Sequence, residues 1–248
     1  MVRVLVCIPT YDERETLPRT VARLRAAAPD VDVLIVDDNS PDGTGQVADE
    51  LAAAADAVHV LHRPEKAGLG AAYIAAFEWG LERQYDIVVE MDADGSHQPE
   101  ELPKLLAALA DADVVLGSRW TAGGKVENWP VSRLVLSRGG NLYTRWMLGI
   151  GLADATGGYR AYRAEVLRKL PLSEVSSQGY CFQVDLAMQA VQAGYRVVEV
   201  PITFVERSQG YSKMSRAIVA EALWRVTSWG VSSRFGRVGS ALSRTRKA

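Results

Sequence analysis

The apolar run Ile87-Val88-Val89-Glu90-Met91 leads directly into Asp92-Ala93-Asp94, and this stretch decides the fold. A short apolar run of this kind predicts a strand that is buried on both faces, as in a parallel sheet. In an open α/β sheet, ligands bind beyond the carboxyl ends of the strands. The two carboxylates that end this strand are therefore expected in the ligand-binding crevice.

Asp92 and Asp94 also suggest a metal ion. Two carboxylates one residue apart repel each other unless a cation or hydrogen-bond donors offset their charges. Mg²⁺ or Mn²⁺ would do so, and Mg²⁺ usually completes its shell with water and substrate phosphates. The pattern thus favours a nucleotide diphosphate held through a metal. A capped turn is the alternative, because Asp94-Gly95-Ser96 suits a turn and Pro99 can open the next helix.

Outward from this stretch, apolar runs alternate with segments of helical length. The alternation predicts an α/β fold with a mostly parallel, doubly wound sheet and helices on both faces. Residues 156–160, by contrast, resemble a turn. Strands are predicted at 2–8, 32–37, 58–61, 87–91, 113–117 and 196–200, and helices up to about 28 and near 44–55, 70–83, 100–110, 133–148 and 182–193.

Acidic or polar residues follow four of these strands, at Glu13, Asp38, Asp92 and Arg119. Since the carboxyl ends of parallel strands share one edge, these residues are expected to form one site. The sequence has no P-loop and no Gly-x-Gly-x-x-Gly after the first strand, which argues against a nucleoside triphosphatase or an ordinary dinucleotide-binding fold.

Length and composition fit one large domain, or one domain with an extension. The 248 residues are 48% apolar and 23% charged, as in an ordinary globular protein. Cys7 and Cys181 are expected as reduced, packed thiols, which favours a cytosolic setting. No apolar run approaches the roughly 18 residues of a membrane span, and the first residues lead into a strand instead of a signal peptide.

The end of the chain is basic. From Arg207 to Ala248, nine Lys or Arg accompany one acid, a net charge of +8, whereas the preceding residues carry −10. Apolar residues at helical spacing predict an amphipathic helix at 215–237, which either packs on its own domain or lies on a membrane. Residues 238–248 are expected to form a disordered basic tail.

Seven motifs, in unbroken order, make the chain resemble the polyprenol- or dolichol-phosphate mannosyltransferases, a branch of the inverting GT-A family 2 glycosyltransferases. The resemblance runs from Val4 to about Met214. It departs at Gly95, where the family usually has Leu. The motifs are Pro-Thr-Tyr-Asp-Glu at 9–13, Val-Asp-Asp-Asn-Ser-Pro-Asp-Gly-Thr at 36–44, Met-Asp-Ala-Asp-Gly-Ser-His at 91–97, Gly-Ser-Arg at 117–119, Glu-Asn-Trp-Pro-Val-Ser-Arg at 127–133, Ser-Arg-Gly-Gly-Asn at 137–141 and Phe-Val-Glu-Arg-Ser-Gln-Gly-Tyr-Ser-Lys at 204–213.

The resemblance implies a GT-A nucleotide-diphospho-sugar transferase domain at 1–214 that moves mannose from GDP-mannose to a polyprenyl or dolichyl monophosphate. It implies that Mg²⁺ or Mn²⁺ is bound by Asp92, Asp94 and Ser96. On the donor side it implies Pro9, Tyr11, Glu13, Val36 and Asp38 for the guanosine, and Asp92, Ala93, Asp94, Arg119, Arg207 and Lys213 for the rest of the nucleotide sugar.

Chemistry supports those roles. Sugar transfer builds negative charge on the departing diphosphate, which Asp94-bound metal and the cations Arg207 and Lys213 would stabilise. Arg119 is counted with these three as catalytic. The acceptor phosphate is largely dianionic at neutral pH and needs cations more than a general base. Its expected ligands are Arg119, Arg133, Ser137 and Arg138.

Simpler roles remain for several of these residues. Tyr11 can be a packing residue, Glu13 a helix cap, and Asp37 a turn residue, while His97 is expected to order its loop as a hydrogen-bond donor. Arg133 and Arg138 can be ordinary surface charges.

Two rival functions stay open: the same fold with UDP-glucose or another nucleotide sugar as donor, and a non-catalytic nucleotide- or lipid-binding module. The expected location is the cytosolic face of the membrane, peripherally bound, with an integral-membrane partner as an option. We expect no nucleic-acid partner.

Overall fold

The computed structural model of the protein describes residues 2–172, 180–206 and 221–231. Its strands are β1 (Val4–Thr10), β2 (Asp32–Asp37), β3 (Val58–His62), β4 (Ile87–Glu90), β5 (Val114–Ser118), β6 (Lys125–Glu127), β7 (Arg160–Arg163), β8 (Val197–Pro201) and β9 (Thr203–Val205). Its α-helices are α1 (Leu17–Ala27), α2 (Thr44–Ala54), α3 (Leu69–Glu82), α4 (Leu102–Ala108), α5 (Val131–Leu148), α6 (Ala164–Lys169), α7 (Tyr180–Gln192) and α8 (221–231), and a 3₁₀ turn at Pro99–Glu101 precedes α4.

Seven strands form one sheet in the order β3-β2-β1-β4-β7-β5-β8. Only β7 runs antiparallel to its neighbours in this sheet, so the predicted mostly parallel sheet is confirmed. From β1 the chain builds outward through β2 and β3, then returns to place β4 on the other side of β1. The strand order therefore reverses between β1 and β4, which is where open α/β sheets bind ligands.

Both faces of the sheet are covered by helices. Leu5 and Cys7 of β1 pack into a core that includes residues of α3 and α7. Val6 and Ile8, which point to the opposite face, pack into a second core with residues of α1 and α4. The alternation along β1 confirms the doubly wound arrangement.

Four elements were missing from the sequence prediction: β6, β7, β9 and α6. The segment predicted as a turn at 156–160 ends at Arg160, where β7 begins. β1 extends to Thr10 instead of ending at residue 8, and α5 begins at Val131 instead of residue 133.

Helix α8 lies within the predicted amphipathic segment and packs on α5. The hydroxyls of Tyr143 and Thr227 are 2.6 Å apart. A Cβ on Gly230 would lie 2.7 Å from the carbonyl oxygen of Met147, so only glycine permits this approach. The predicted domain boundary at 214 and the predicted tail at 238–248 fall outside the described residues.

Among the helices that the structure describes, none has the length and apolar content needed to cross a bilayer. Cys7 and Cys181 are both buried free thiols, as predicted.

Candidate active site

The loop after β4 holds Asp92 at the point where the strand order reverses. The carboxylate is about one-third exposed (32%). The hydroxyl of Tyr73, on α3, lies 3.4 Å from Asp92 Oδ1. The backbone N–H of Asp92 donates to Nδ1 of the buried His97 (3.0 Å), and Nε2 of that ring lies 3.7 Å from Asp92 Oδ2. His97 therefore orders the loop as an acceptor through Nδ1, whereas the sequence predicted a donor.

Asp94 and Ser96 differ in how far solvent reaches them. Asp94 is partly exposed, and its Oδ1 accepts a hydrogen bond from the Ser96 N–H (3.0 Å). Gly95 between them has a φ of +77°, which favours glycine. The Ser96 hydroxyl is buried and has no hydrogen-bond partner among the described residues. In this conformation that hydroxyl does not face solvent, and Ser96 stays a predicted metal ligand.

The donor set at Asp92 and Asp94 fits a hard divalent cation. No cluster of three or more His, Cys, Asp or Glu able to hold a metal occurs in the described part of the chain. Two partly exposed carboxylates would leave coordination positions for water and diphosphate oxygens, which is the arrangement that Mg²⁺ favours. The residues present are thus compatible with a cation that is shared between protein and nucleotide.

The predicted guanosine residues lie at the ends of β1 and β2. Pro9 pairs with Val36 across the two strands. A Lys66 ammonium group lies 3.4 Å from the ring centroid of Tyr11. Glu13 stands at the start of α1, where its carboxylate accepts from Thr16 Oγ1 (2.7 Å) and its carbonyl accepts the N–H of Leu17 (2.9 Å). These contacts order the turn that leads into α1, whereas the cap position itself, Thr16, has no side-chain cap hydrogen bond.

Asp37 and Asp38 have different roles: Asp37 orders a turn, and Asp38 forms an ion pair. Asp37 Oδ1 accepts from the Ser40 hydroxyl (2.5 Å), as expected for a turn. Asp38 Oδ1 lies 2.5 Å from the guanidinium Nη1 of Arg63, at the end of β3. Burial raises the pKa of Asp38, and the adjacent Arg63 guanidinium opposes that shift. Arg63 was not identified from the sequence.

Arg119 is held by a buried carboxylate. Its Nε and Nη2 donate to the two oxygens of Asp154 at 2.7 and 2.6 Å, and its backbone N–H donates to Asp154 Oδ2 at 2.9 Å. Burial alone would raise the pKa of Asp154, but Arg119 holds it below its usual value. Asn141 and Thr156 hydrogen-bond to the same carboxylate. With three of its N–H groups committed to Asp154, Arg119 is better suited to positioning this corner of the site than to binding phosphate.

The turn at 154–158 contacts Arg119 through Asp154 and lies close to His97 and Asp92 at Gly158. A Cβ on Gly158 would lie 3.6 Å from His97 Cε1 and 3.9 Å from Asp92 Oδ1. The turn is held by Arg160, which is fully buried and donates to the carbonyls of Ala155, Gly157 and Gln183 at 2.6–2.7 Å. Arg160 faces Glu90 across the β4–β7 pair. Burial raises the pKa of Glu90 to about 7, and Arg160 opposes that shift.

An aromatic cluster joins the Asp92 loop to the predicted acceptor residues. Phe204 packs edge-on against His97 (5.6 Å between centroids) and Trp129 (5.3 Å). The Arg133 guanidinium lies 4.2 Å from the Trp129 ring and pairs with Glu206. Arg138, which is exposed, lies 4.8 Å from the Trp120 ring.

A cavity of about 480 Å³ lies beside Arg119 and Arg133. Its wall consists mostly of apolar residues of α5, α7 and α8. Besides the two arginines, the polar residues of the wall include Ser137, a predicted phosphate ligand. The lining residues are Arg119, Trp129, Arg133, Val135, Leu136, Ser137, Gly139, Gly140, Tyr143, Thr144, Thr156, Cys181, Val184, Ala222, Leu223 and Val226.

The structure links the Asp92 loop to Arg133 through His97, Phe204 and Trp129, and it places Tyr11 and Asp38 directly after the neighbouring strands β1 and β2. Arg207 and Lys213 lie outside the described residues. The sequence analysis missed Arg63, Asp154 and Arg160. For Arg63 a signal was present, because it directly follows a predicted strand whose carboxyl end faces the same crevice.

The sequence matches the family described as Glycosyl transferase family 2 over residues 5–171. It is 59% identical to the polyprenol monophosphomannose synthase of Mycolicibacterium smegmatis, over 95% of this chain and 89% of that protein. It is 60% identical to the undecaprenyl-phosphate mannosyltransferase of Micrococcus luteus, over 94% of this chain and 96% of that protein.

Solved structures share the fold at low sequence identity. A mannosyltransferase from Pyrobaculum calidifontis in complex with GDP-Man and Mn²⁺ superposes with a TM-score of 0.57 at 18% identity, over 99% of this chain and 79% of that one. Glucosyl-3-phosphoglycerate synthase from Mycobacterium tuberculosis with Mn²⁺, UDP and glucosyl-3-phosphoglycerate gives a TM-score of 0.66 at 18% identity, over 95% and 80% of the two chains. These similarities support the GT-A fold.

Proposed function

The chain belongs to glycosyltransferase family 2, and on that basis we propose that it transfers mannose from GDP-mannose to a polyprenyl monophosphate, releasing GDP. The observation that carries the proposal is the largely apolar cavity of about 480 Å³ that begins at Arg119, Arg133 and Ser137. Such a cavity suits an acceptor with a charged head and a hydrocarbon chain. The printed names of the two relatives, which specify a polyprenol and undecaprenyl phosphate, support this acceptor class.

On the donor side, Asp92 and Asp94 would hold Mg²⁺ or Mn²⁺ against the diphosphate. When bound, the cation supplies positive charge where the leaving group becomes negative. His97 and Tyr73 fix the orientation of Asp92 through the contacts described above. Pro9, Tyr11, Val36 and Asp38 would hold the guanosine, while Glu13 shapes the start of α1. Ala93, whose carbonyl accepts from Thr20 (2.9 Å), would place the ribose between these groups. Arg207 and Lys213 remain proposed ligands of the diphosphate.

On the acceptor side, Arg133 and Ser137 would bind the phosphate. A phosphate monoester is largely dianionic at neutral pH, so no residue needs to remove a proton from it. Asp154 holds Arg119 in place, and Arg119 in turn lies 5.5 Å from the Trp129 ring on which Arg133 packs. Arg138 reaches the same region from the exposed side of α5 and would assist headgroup recognition.

The deciding experiment is transfer of radiolabelled sugar to undecaprenyl phosphate, with GDP-mannose and UDP-glucose compared in parallel, in Mg²⁺, Mn²⁺ or EDTA. We expect a mannolipid from GDP-mannose alone, and no product in EDTA because the leaving diphosphate would then lack its cation. Transfer only from UDP-glucose would replace the proposed donor. Binding of GDP without transfer from either donor would favour the binding-module alternative.

We further propose that α5 and α8 lie on the membrane surface. One face of α5 exposes apolar residues together with Arg138 and Arg145. On α8, Trp224 is exposed. These helices also line the cavity, so a prenyl chain could pass from bilayer to cavity without crossing water. Basic groups among exposed apolar residues suit an anionic lipid surface. The exposed apolar residues are Val131, Val135, Leu136, Leu142, Trp146, Leu223, Trp224 and Val231.

Replacing Trp146 and Trp224 together by serine is expected to weaken binding to anionic vesicles at least about tenfold, because two exposed indoles would no longer enter the interface. Trp146 and Trp224 are 65% and 74% exposed, so the fold should not depend on them. Co-sedimentation measures the effect. Val2→Ser, an exposed apolar residue at the amino end of β1, is the control. Unchanged vesicle binding would contradict the proposal and turn attention to an integral-membrane partner.

A further inference from the structure

The loop that carries Asp94 is held by the side chain of Gln98. Nε2 of Gln98 donates to the carbonyls of Gly95 and Ser96, both at 3.2 Å. Gln98 directly precedes Pro99 and has an extended backbone (φ −91°, ψ 110°), as a residue before proline usually does. The side chain therefore turns back onto the loop from a restricted backbone position.

Gln98 is itself oriented by Arg23, on α1. Nη2 of Arg23 donates to Gln98 Oε1 at 2.7 Å, and Nε of Arg23 donates to Glu100 Oε1 at 2.9 Å. A glutamine amide has one oxygen acceptor and two N–H donors, so the bond from Arg23 leaves both N–H groups for the two carbonyls. Thr20, three residues before Arg23 and on the same side of α1, donates to the Ala93 carbonyl (2.9 Å). Helix α1 therefore holds the loop at two points.

The peptide group between Gly95 and Ser96 connects Gln98 to Asp94. Its carbonyl accepts from Gln98, and its N–H donates to Asp94 Oδ1 at 3.0 Å. Because a trans peptide is planar, its C=O and N–H point in opposite directions and can only rotate together. Gly95, with a φ of +77°, lacks the Cβ that would restrict this rotation. A rotated peptide would set its carbonyl oxygen, instead of its N–H, against the Asp94 carboxylate.

Strand β9 also contacts this loop, at the next carbonyl. The Val205 N–H donates to the Ser96 carbonyl at 3.1 Å. The Ser96 carbonyl therefore keeps a donor if Gln98 is replaced, whereas the Gly95 carbonyl loses its bond to Nε2. Replacement of Gln98 should thus act mainly on the peptide group that holds Asp94.

We propose, on the basis of the Mg²⁺ or Mn²⁺ site proposed at Asp92 and Asp94, that Gln98 is a positioning residue for the cation. Gln98 fixes the peptide between Gly95 and Ser96, and the N–H of that peptide sets the direction of the Asp94 carboxylate. Gln98 acts through the loop and does not itself contact the cation. Residues that orient a metal ligand typically change metal affinity 10–100-fold when they are replaced.

The test is calorimetric binding of GDP to the full chain, once in Mn²⁺ and once in EDTA. Wild type should bind GDP more tightly in Mn²⁺. Gln98→Met keeps the length of the side chain but donates no hydrogen bond, so it should weaken GDP binding in Mn²⁺ roughly tenfold. Its GDP affinity in EDTA should stay within about twofold of wild type, because the nucleotide contacts that need no metal are unchanged.

Gln98→Glu separates orientation from charge. The carboxylate can still accept from Arg23 but has no N–H groups for the loop carbonyls. Its negative charge alone would attract a cation and tighten binding in Mn²⁺. We expect weaker binding instead, as in Gln98→Met, because the peptide that holds Asp94 is released.

Gln192→Met, at the exposed end of α7, makes the same chemical change as Gln98→Met and should leave both GDP affinities at their wild-type values. If Gln98→Met binds GDP in Mn²⁺ as tightly as wild type does, or loses affinity equally in Mn²⁺ and EDTA, then Gln98 does not position Asp94. Equal GDP affinity of wild type in Mn²⁺ and EDTA would remove the proposed metal site as well. A wild type that does not bind GDP would contradict the proposed function.

Discussion

Replacing Asp94 by alanine is expected to lower mannolipid formation about a hundredfold or more, because the leaving diphosphate would lose a carboxylate-held cation worth several kcal/mol in the transition state. Asp94 is partly exposed and its carboxylate bonds the adjacent Ser96 N–H, so the fold should tolerate the change. The measurement is the transfer rate at saturating GDP-mannose and undecaprenyl phosphate, together with GDP affinity in Mg²⁺ and in EDTA.

Asp111→Ala provides the control for that change. Asp111 is an exposed acid shortly after α4, and its loss should leave transfer within about twofold of wild type. In Asp94→Ala, GDP binding should also lose most of its dependence on Mg²⁺. A variant that keeps both its turnover and its Mg²⁺ dependence would show that Asp94 does not hold the metal.

The parallel strands and the loops that follow them could be predicted because each uses a local signal. β2 and β4 are buried on both faces, and each contains consecutive apolar residues, Val33 to Val36 and Ile87 to Val89. Asp38 and Asp92 follow those runs within three residues. Once parallel pairing is assumed, their shared edge follows from the topology without any knowledge of side-chain contacts.

β7 was missed because its sequence, Arg-Ala-Tyr-Arg, lacks that signal. The strand has four residues, begins at the last residue of a predicted turn and carries an arginine at each end. It is nevertheless central, between β4 and β5. Burial of Arg160 depends on three carbonyl acceptors that come from the turn before it and from α7. Such long-range pairing is not visible in a local pattern.

Arg119, in the candidate site, also has a long-range partner that the local sequence does not reveal. The motif Gly-Ser-Arg at 117–119 suggested a cation available for phosphate. Its partner Asp154 lies 35 residues away, on a turn that the sequence alone does not place near β5. The fold therefore decides whether this arginine meets substrate or protein, and it favours a bidentate pair with Asp154.

That pair leads to the largest expected effect on stability. Asp154→Ala is expected to lower the free energy of unfolding by about 3–5 kcal/mol, because the guanidinium of Arg119 would remain buried without its counter-charge. Arg119 and Asp154 are 5% and 0% exposed. For a chain of this size the melting temperature should fall by roughly 6–20 °C. Urea and thermal unfolding followed by circular dichroism would measure both quantities.

The pH dependence gives the same prediction a second, independent readout. Although burial opposes it, Arg119 lowers the pKa of Asp154 in the folded protein. The pair's contribution is therefore fully present above the unfolded-state pKa of about 3.9, and it is lost as pH falls through the lower folded-state pKa. The stability difference between wild type and Asp154→Ala should thus be constant near neutral pH and shrink only below about pH 4.

A double variant separates charge from packing. Arg119→Met with Asp154→Leu removes both charges and keeps apolar volume, so it should be more stable than Asp154→Ala alone. If the double variant is as unstable as the single one, loss of packing and not an unpaired charge would explain the effect. If the double variant regains stability but does not transfer mannose, the ion pair serves to place Arg119 beside Trp129 and the proposed phosphate ligand Arg133.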